Sequence, residues 1–126
     1  MRAVDTNLLV QLIVREDAKQ AKAAEAFIEA GAWASHVVLA ETCWVLRAAY
    51  DRAPAEIATT VEMLLSHRTL SVHDPDVVAA ALEHFRSKPS LGFSDCLILE
   101  SARKAGHLPL GTFDKDLGKL NGAQKL

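Results

Sequence analysis

This sequence offers few covalent or redox handles. Cys43 and Cys96 are its only two cysteines in 126 residues. Both stand in apolar helical patterns with no Cys or His at metal-ligand spacing, so they read as inert core thiols rather than a disulfide or a zinc site. The five histidines are scattered, without the i, i+4 pairs that transition-metal sites use. No Gly-x-Ser-x-Gly elbow and no phosphate-cradling glycine loop occurs, which leaves a Ser/His/Asp hydrolase without support. No apolar run approaches the ~18 residues of a membrane span, and Met1 runs into a strand pattern with no cationic leader. The expectation is a cytoplasmic protein with no membrane role. Nor is there a surplus of positive charge: 14 Lys and Arg face 16 Asp and Glu, a formal net charge of −2.

What is present is globular composition, half hydrophobic and 24% charged, at a length that predicts one domain over residues 1–126. Short strand patterns alternate with longer helical ones, the mark of an α/β domain with a mostly parallel sheet. An apolar strand ends at Val4 and an apolar helix follows from Leu8 to Val14. Asp17 caps a helix that turns Ala18, Ala21, Ala24, Phe27 and Ile28 inward, with Gly31 as the residue past its end. Ala32–Ser35 reads as a strand. Val37–Tyr50 and the segment from Pro54 to Ser66 are helical, and Thr69–Val72 is a third strand. Asp74-Pro75 opens a helix to about Arg86. After a loop at Lys88–Gly92, Ser94 or Asp95 starts a helix ending at Ala105. A last strand at Leu108–Phe113 carries a Pro and a Gly that weaken its regularity. The tail from Asn121 adds a short edge strand or frays.

Four acids mark the junctions of these elements: Asp5, Glu41, Asp95 and Asp114. Each alone is explained as a helix cap or a solvent-facing residue. Together they suggest more. Asp5 follows a strand at the position where parallel sheets open their ligand crevice. Glu41 lies in the apolar stretch Val37–Trp44, and Asp95 precedes Cys96-Leu97-Ile98-Leu99. Acids in such settings are costly unless paired or metal-bound. Carboxylates pooled in one crevice repel one another, so a hard divalent cation is the expected companion. Setting these four aside leaves 14 cations against 12 acids, a balance of +2 for the remaining surface.

Asp5-Thr6-Asn7, Glu41 within a helix, Phe93-Ser94-Asp95 and Thr112-Phe113-Asp114 resemble, in order and spacing, the signature blocks of the PIN domain. Within that family the resemblance is to VapC-type ribonuclease toxins of bacterial toxin–antitoxin pairs. It runs from Asp5 to about Leu117. It implies a three-layer fold whose central sheet of four or five mostly parallel strands is flanked by helices. It assigns Asp5, Glu41, Asp95 and Asp114 to a site holding Mg²⁺ or Mn²⁺, with Asp5 and Asp95 as core ligands. Thr6, Asn7, Ser94 and Thr112 are the polar surround. Asp114-Lys115-Asp116 offers two acids at the last block, of which Asp114, directly after the Thr-Phe strand end, is favoured as ligand and Asp116 is treated as an outer-shell or surface acid. The implied activity is endonucleolytic hydrolysis of RNA by metal-activated water, leaving a 3′-hydroxyl and a 5′-phosphate. The implied partners are an RNA substrate, a cognate antitoxin protein that presses a segment against the acidic pocket, and a second copy forming a homodimer. The apolar faces of the helices between Val37 and Ser66 are the expected dimer surface.

Two other readings compete. A haloacid-dehalogenase-type phosphatase also carries an Asp at the end of its first strand, but needs a second Asp two residues later, where Asn7 stands. A catalytically silent PIN-like RNA-binding module would lack the acids that are all retained. Arg47, Arg52, Arg86, Lys88 and Lys115 are candidate backbone contacts for RNA. Trp33 and Trp44 read as core or dimer contacts rather than base-stacking platforms.

Overall fold

The strands of this chain are only two or three residues long because a polar helix-starting group interrupts each apolar run almost at once. Asp5 follows Val4, Ser35 follows Ala34, and Asp74-Pro75 comes soon after Val72. A computed structural model describes all 126 residues as two compact units, Met1–Pro75 and Asp76–Leu126.

The first unit runs β1 (Arg2–Ala3), α1 (Thr6–Val14), α2 (Ala18–Glu29), β2 (Ala32–Ala34), α3 (His36–Ala48), α4 (Pro54–Ser66) and β3 (Leu70–Val72). Its three strands form a parallel sheet in the order β1-β2-β3, with Ala3 opposite Trp33 and Ala34 opposite Val72. Helical crossovers are what a parallel sheet requires, since adjacent strands must return in the same direction.

Local chemistry sets the helix starts. Asp5 Oδ1 accepts from the Leu8 N–H at 2.9 Å, and Asp17 Oδ1 accepts from Lys19 and Gln20. Ser35 Oγ accepts from Val38, while Pro54 takes the first position of α4 and Glu56 reaches back to the Ala53 N–H. Each cap of this kind stabilises its helix by about 1 kcal/mol. Gly31, at φ +96°, makes the left-handed exit from α2 that a residue with Cβ would resist. The core collects Leu9, Val10, Ile28, Leu39, Leu46 and Val61. The inward stripes are close to those expected, except that Ala18 lies outside and Phe27 and Tyr50 are only partly covered.

The second unit contains α5 (Pro75–Ser87, whose first residue closes the first unit), α6 (Phe93–Ala105), β4 (Leu110–Thr112), a 3-10 turn at Leu117–Lys119 and β5 (Ala123–Lys125). The tail is thus a strand, pairing parallel with β4 so that Leu110 faces Ala123 and Thr112 faces Lys125. β4 is shorter than its apolar sequence, leaving Leu108, Pro109 and Phe113 outside the ladder. Phe85 and Phe93 meet edge to face, their rings 6.0 Å apart. Glu100 is buried yet fully engaged: His84 Nε2 lies 3.0 Å from Oε2, and Arg103 Nε donates to both carboxylate oxygens at 3.2 Å. Arg103 also donates to the Asn121 carbonyl at 2.6 Å, tying α6 to the residue before the final strand. The six helices and the uniformly parallel pairing bear out the expected α/β class, with strands hydrogen-bonded three and two.

Candidate metal centre

In the first unit, the end of β1 presents Asp5 and the third helix presents Glu41. Asp5 spends one carboxylate oxygen on the cap of α1 and is itself exposed. The next residue, Thr6, donates its hydroxyl to Glu41 Oε1 at 2.5 Å. That bond bridges 35 residues of sequence and fixes one carboxylate beside the other acid's neighbour. Asn7 is exposed in the first turn of α1. Glu41 corrects the desolvation argument made from its apolar neighbours. It is exposed, because the buried stripe of α3 runs through Leu39, Thr42, Cys43 and Leu46 and Glu41 points the other way.

In the second unit, α6 begins at Phe93 with Gly92 at its cap, so Ser94 and Asp95 lie inside the first turn rather than before it. Asp95 is partly buried. Burial pushes its carboxyl above the ordinary range, and the negative charge of Asp114 adds to the rise, while a hydrogen bond with the Gly92 backbone opposes it. Asp114 is exposed at the end of the segment after β4. Its Oδ1 accepts from the Leu117 N–H at 2.8 Å and its own N–H donates to Thr112 Oγ1 at 3.0 Å. Thr112 thus orients Asp114 through the backbone. Ser94 is exposed. Asp116 is turned to cations, 3.6 Å from Lys88 Nζ and 4.0 Å from Lys119 Nζ.

The acids thus stand in two sets: Thr6, the neighbour of Asp5, bonds to Glu41, and Asp95 lies close enough to Asp114 to feel its negative charge. Within neither unit do three or more His, Cys, Asp or Glu side chains gather in a metal-holding group. The sequence matches the model of the PIN domain over residues 2–123, which spans both units. The chain belongs to the PIN-domain family. PIN domains are generally metal-dependent nucleases, so membership supports a hydrolase acting on nucleic acid. No curated protein matches the chain. The residues present suit the divalent ion that PIN domains use. The four acids offer carboxylate oxygens, and Thr6, Ser94, Thr112 and Asn7 add hydroxyl and amide oxygens, the hard donors such cations prefer. A cation would also relieve the cost of ionising Asp95 beside Asp114.

Other groups fall outside these pairs. Both thiols are buried free cysteines, and burial pushes Cys43 up to about 12 and Cys96 up to about 11, as inert core thiols should behave. Of the candidate RNA-contacting cations, Lys88 is committed to Asp116 and Arg52 lines a cavity beside α4, whereas Arg47 and Lys115 are exposed. Trp44 corrects its core reading: it is 68% exposed. The Glu100 network escaped sequence reasoning, because nothing in Cys96–Arg103 announces that His84 lies alongside. No helix is long and apolar enough to cross a membrane.

Proposed function

We propose that this PIN domain is an endoribonuclease that uses Mg²⁺ or Mn²⁺ to hydrolyse RNA phosphodiester bonds, and that it acts as the VapC-type toxin of a toxin–antitoxin pair. Both units make up the one nuclease domain in this reading. The observation that carries it is the family match across both units together with the retention of Asp5, Glu41, Asp95 and Asp114. These four are the proposed metal ligands, with Asp5 and Asp95 the strongest. When bound, the ion would polarise the phosphoryl group and lower the pKa of a water molecule.

The chain's own residues prepare for that chemistry. Thr6 holds Glu41 by a donated hydrogen bond, leaving its second oxygen for a cation or a water. The Leu117 N–H holds one oxygen of Asp114, and Thr112 fixes the turn that carries it. Asp116, occupied by Lys88, is better suited to the surround than to the ion. Ser94 and Asn7, both exposed, are free to contact the scissile phosphate.

The reading seats the antitoxin on the first unit. A cavity of about 750 Å³ is lined by Leu12, Ile13, Met63 and Leu64, with Arg15, Glu25 and Arg52 at its polar edge. Such a groove suits the apolar face of an amphipathic helix. A homodimer belongs to the same reading. The expected surface between Val37 and Ser66 needs revision, since most of its apolar side chains are buried within the unit and Val37, Trp44 and Met63 are the large ones left outside. The cytoplasm is the compartment this reading assigns to it.

The test is incubation of the purified protein with cellular RNA, with and without Mg²⁺ or Mn²⁺, followed by sequencing of the cut ends. Metal-dependent ends bearing 5′-phosphates are expected. Absence of cleavage with either metal, or p-nitrophenyl phosphate turnover in its place, would overturn the reading.

A further inference from the structure

Trp44 is a large aromatic side chain that folding leaves in water, and its position on α3 gives that exposure a use. At 100° per residue, Leu39, Thr42, Cys43 and Leu46 fill the inward arc of the helix. Val37, Glu41, Trp44, Arg47 and Ala48 share an opposite arc of about 120°, and all five are exposed. Trp44 follows Glu41 by one turn and Arg47 follows Trp44 by another. The outward face therefore reads carboxylate, indole, guanidinium at successive steps of about 4.5 Å along the axis. Thr6 holds the carboxylate in place, and Arg47 enters none of the chain's ion pairs.

We propose that Trp44 is a stacking platform for a base of single-stranded RNA next to the metal centre, with Arg47 contacting the adjoining phosphate. The inference rests on the ribonuclease reading and deepens it by naming the side chains that would hold an unpaired base and its phosphate beside Glu41. A flat π-face accepts any unstacked base, whereas a base within a duplex is already covered on both sides. A cation one turn beyond the ring supplies the backbone contact that such grooves combine with stacking. A second protein surface fits this face less well. An apolar protein surface docked there would strip water from both Glu41 and Arg47, whereas RNA brings a phosphate to Arg47 and leaves Glu41 hydrated.

The experiment measures binding of a fluorescently labelled single-stranded RNA 12-mer, and of the same strand in a duplex, without divalent metal. Wild type, Trp44→Ala and Trp44→Phe are compared, with sedimentation of each protein and, once Mg²⁺ or Mn²⁺ is added, KM and kcat. Because the indole is exposed, all three fold alike. Trp44→Ala is expected to weaken single-strand binding about tenfold, the loss of one base–aromatic stack. KM should rise in step while kcat changes little, and Trp44→Phe should restore most of the loss. Duplex binding should be weak and indifferent to either substitution. Unchanged single-strand binding by Trp44→Ala would overturn the proposal, as would a dimer that dissociates on that substitution, since the ring would then belong to a protein interface. The two readings fail separately. Cleavage with a KM untouched by Trp44→Ala leaves the nuclease standing without the platform, while Trp44-dependent binding without cleavage leaves the platform without the nuclease.

Discussion

The two units treat their acids in opposite ways. In the first, Asp5 and Glu41 are exposed and each is held by a donated hydrogen bond, from the Leu8 N–H and from the Thr6 hydroxyl. In the second, Asp95 is partly buried beside another carboxylate, and its proton is held more tightly than usual. The first pair is organised at little electrostatic cost. The second carries the cost, and with it the stronger demand for a cation.

Asp95→Asn should therefore have the largest consequences, and in two directions. Metal-dependent cleavage should fall at least about 100-fold, a loss no smaller than that from disturbing a ligand's support. The metal-free protein should meanwhile become more stable. A carboxyl whose pKa is raised in the folded state favours folding while it is protonated, below the ordinary carboxylate pKa. That advantage is lost as pH rises through the raised value. Thermal melts of metal-free wild type and Asp95→Asn, followed from acid to neutral pH, should diverge as pH increases, with wild type the less stable. Parallel curves would remove the contrast between the units.

Thr6→Val sharpens the same contrast from the other side. It removes the donor to Glu41 without touching a carboxylate, so cleavage should fall about tenfold while the metal-free melting temperature barely moves. Titration calorimetry with Mn²⁺ would locate the loss in metal affinity. The smallest effect belongs to Asp116→Asn. Its ion pairs with Lys88 and Lys119 are largely exposed and worth under about 1 kcal/mol, so both activity and stability should stay close to wild type. A loss comparable to that of Asp114→Asn would return Asp116 to the ligand set.

Much of this was legible in the residues because it is local. A cap needs only Asp5 and the next three residues, and the alternation of strand and helix patterns follows from spacing along the chain. What could not be read depended on direction or distance. Glu41 lies among apolar residues in sequence but on the dry helix's wet side, a distinction of about 100° per residue that neighbours alone conceal. The bond from Thr6 to Glu41, the commitment of Asp116 to Lys88 and the burial of Glu100 between His84 and Arg103 each join residues brought together only by folding. The choice between Asp114 and Asp116 was open in Asp114-Lys115-Asp116 for that reason. The tail became a strand because β4 had an unpaired edge to offer it.

Asp5 holds a helix start and a proposed ion with the same side chain. A descendant that abandoned nuclease chemistry would still lose about 1 kcal/mol by discarding it, whereas Glu41, exposed and capping nothing, would be released from constraint at once. Among diverged copies of this fold, survival of the aspartate at the first strand's end is thus weak testimony to activity, and survival of the glutamate on the third helix is the stronger witness.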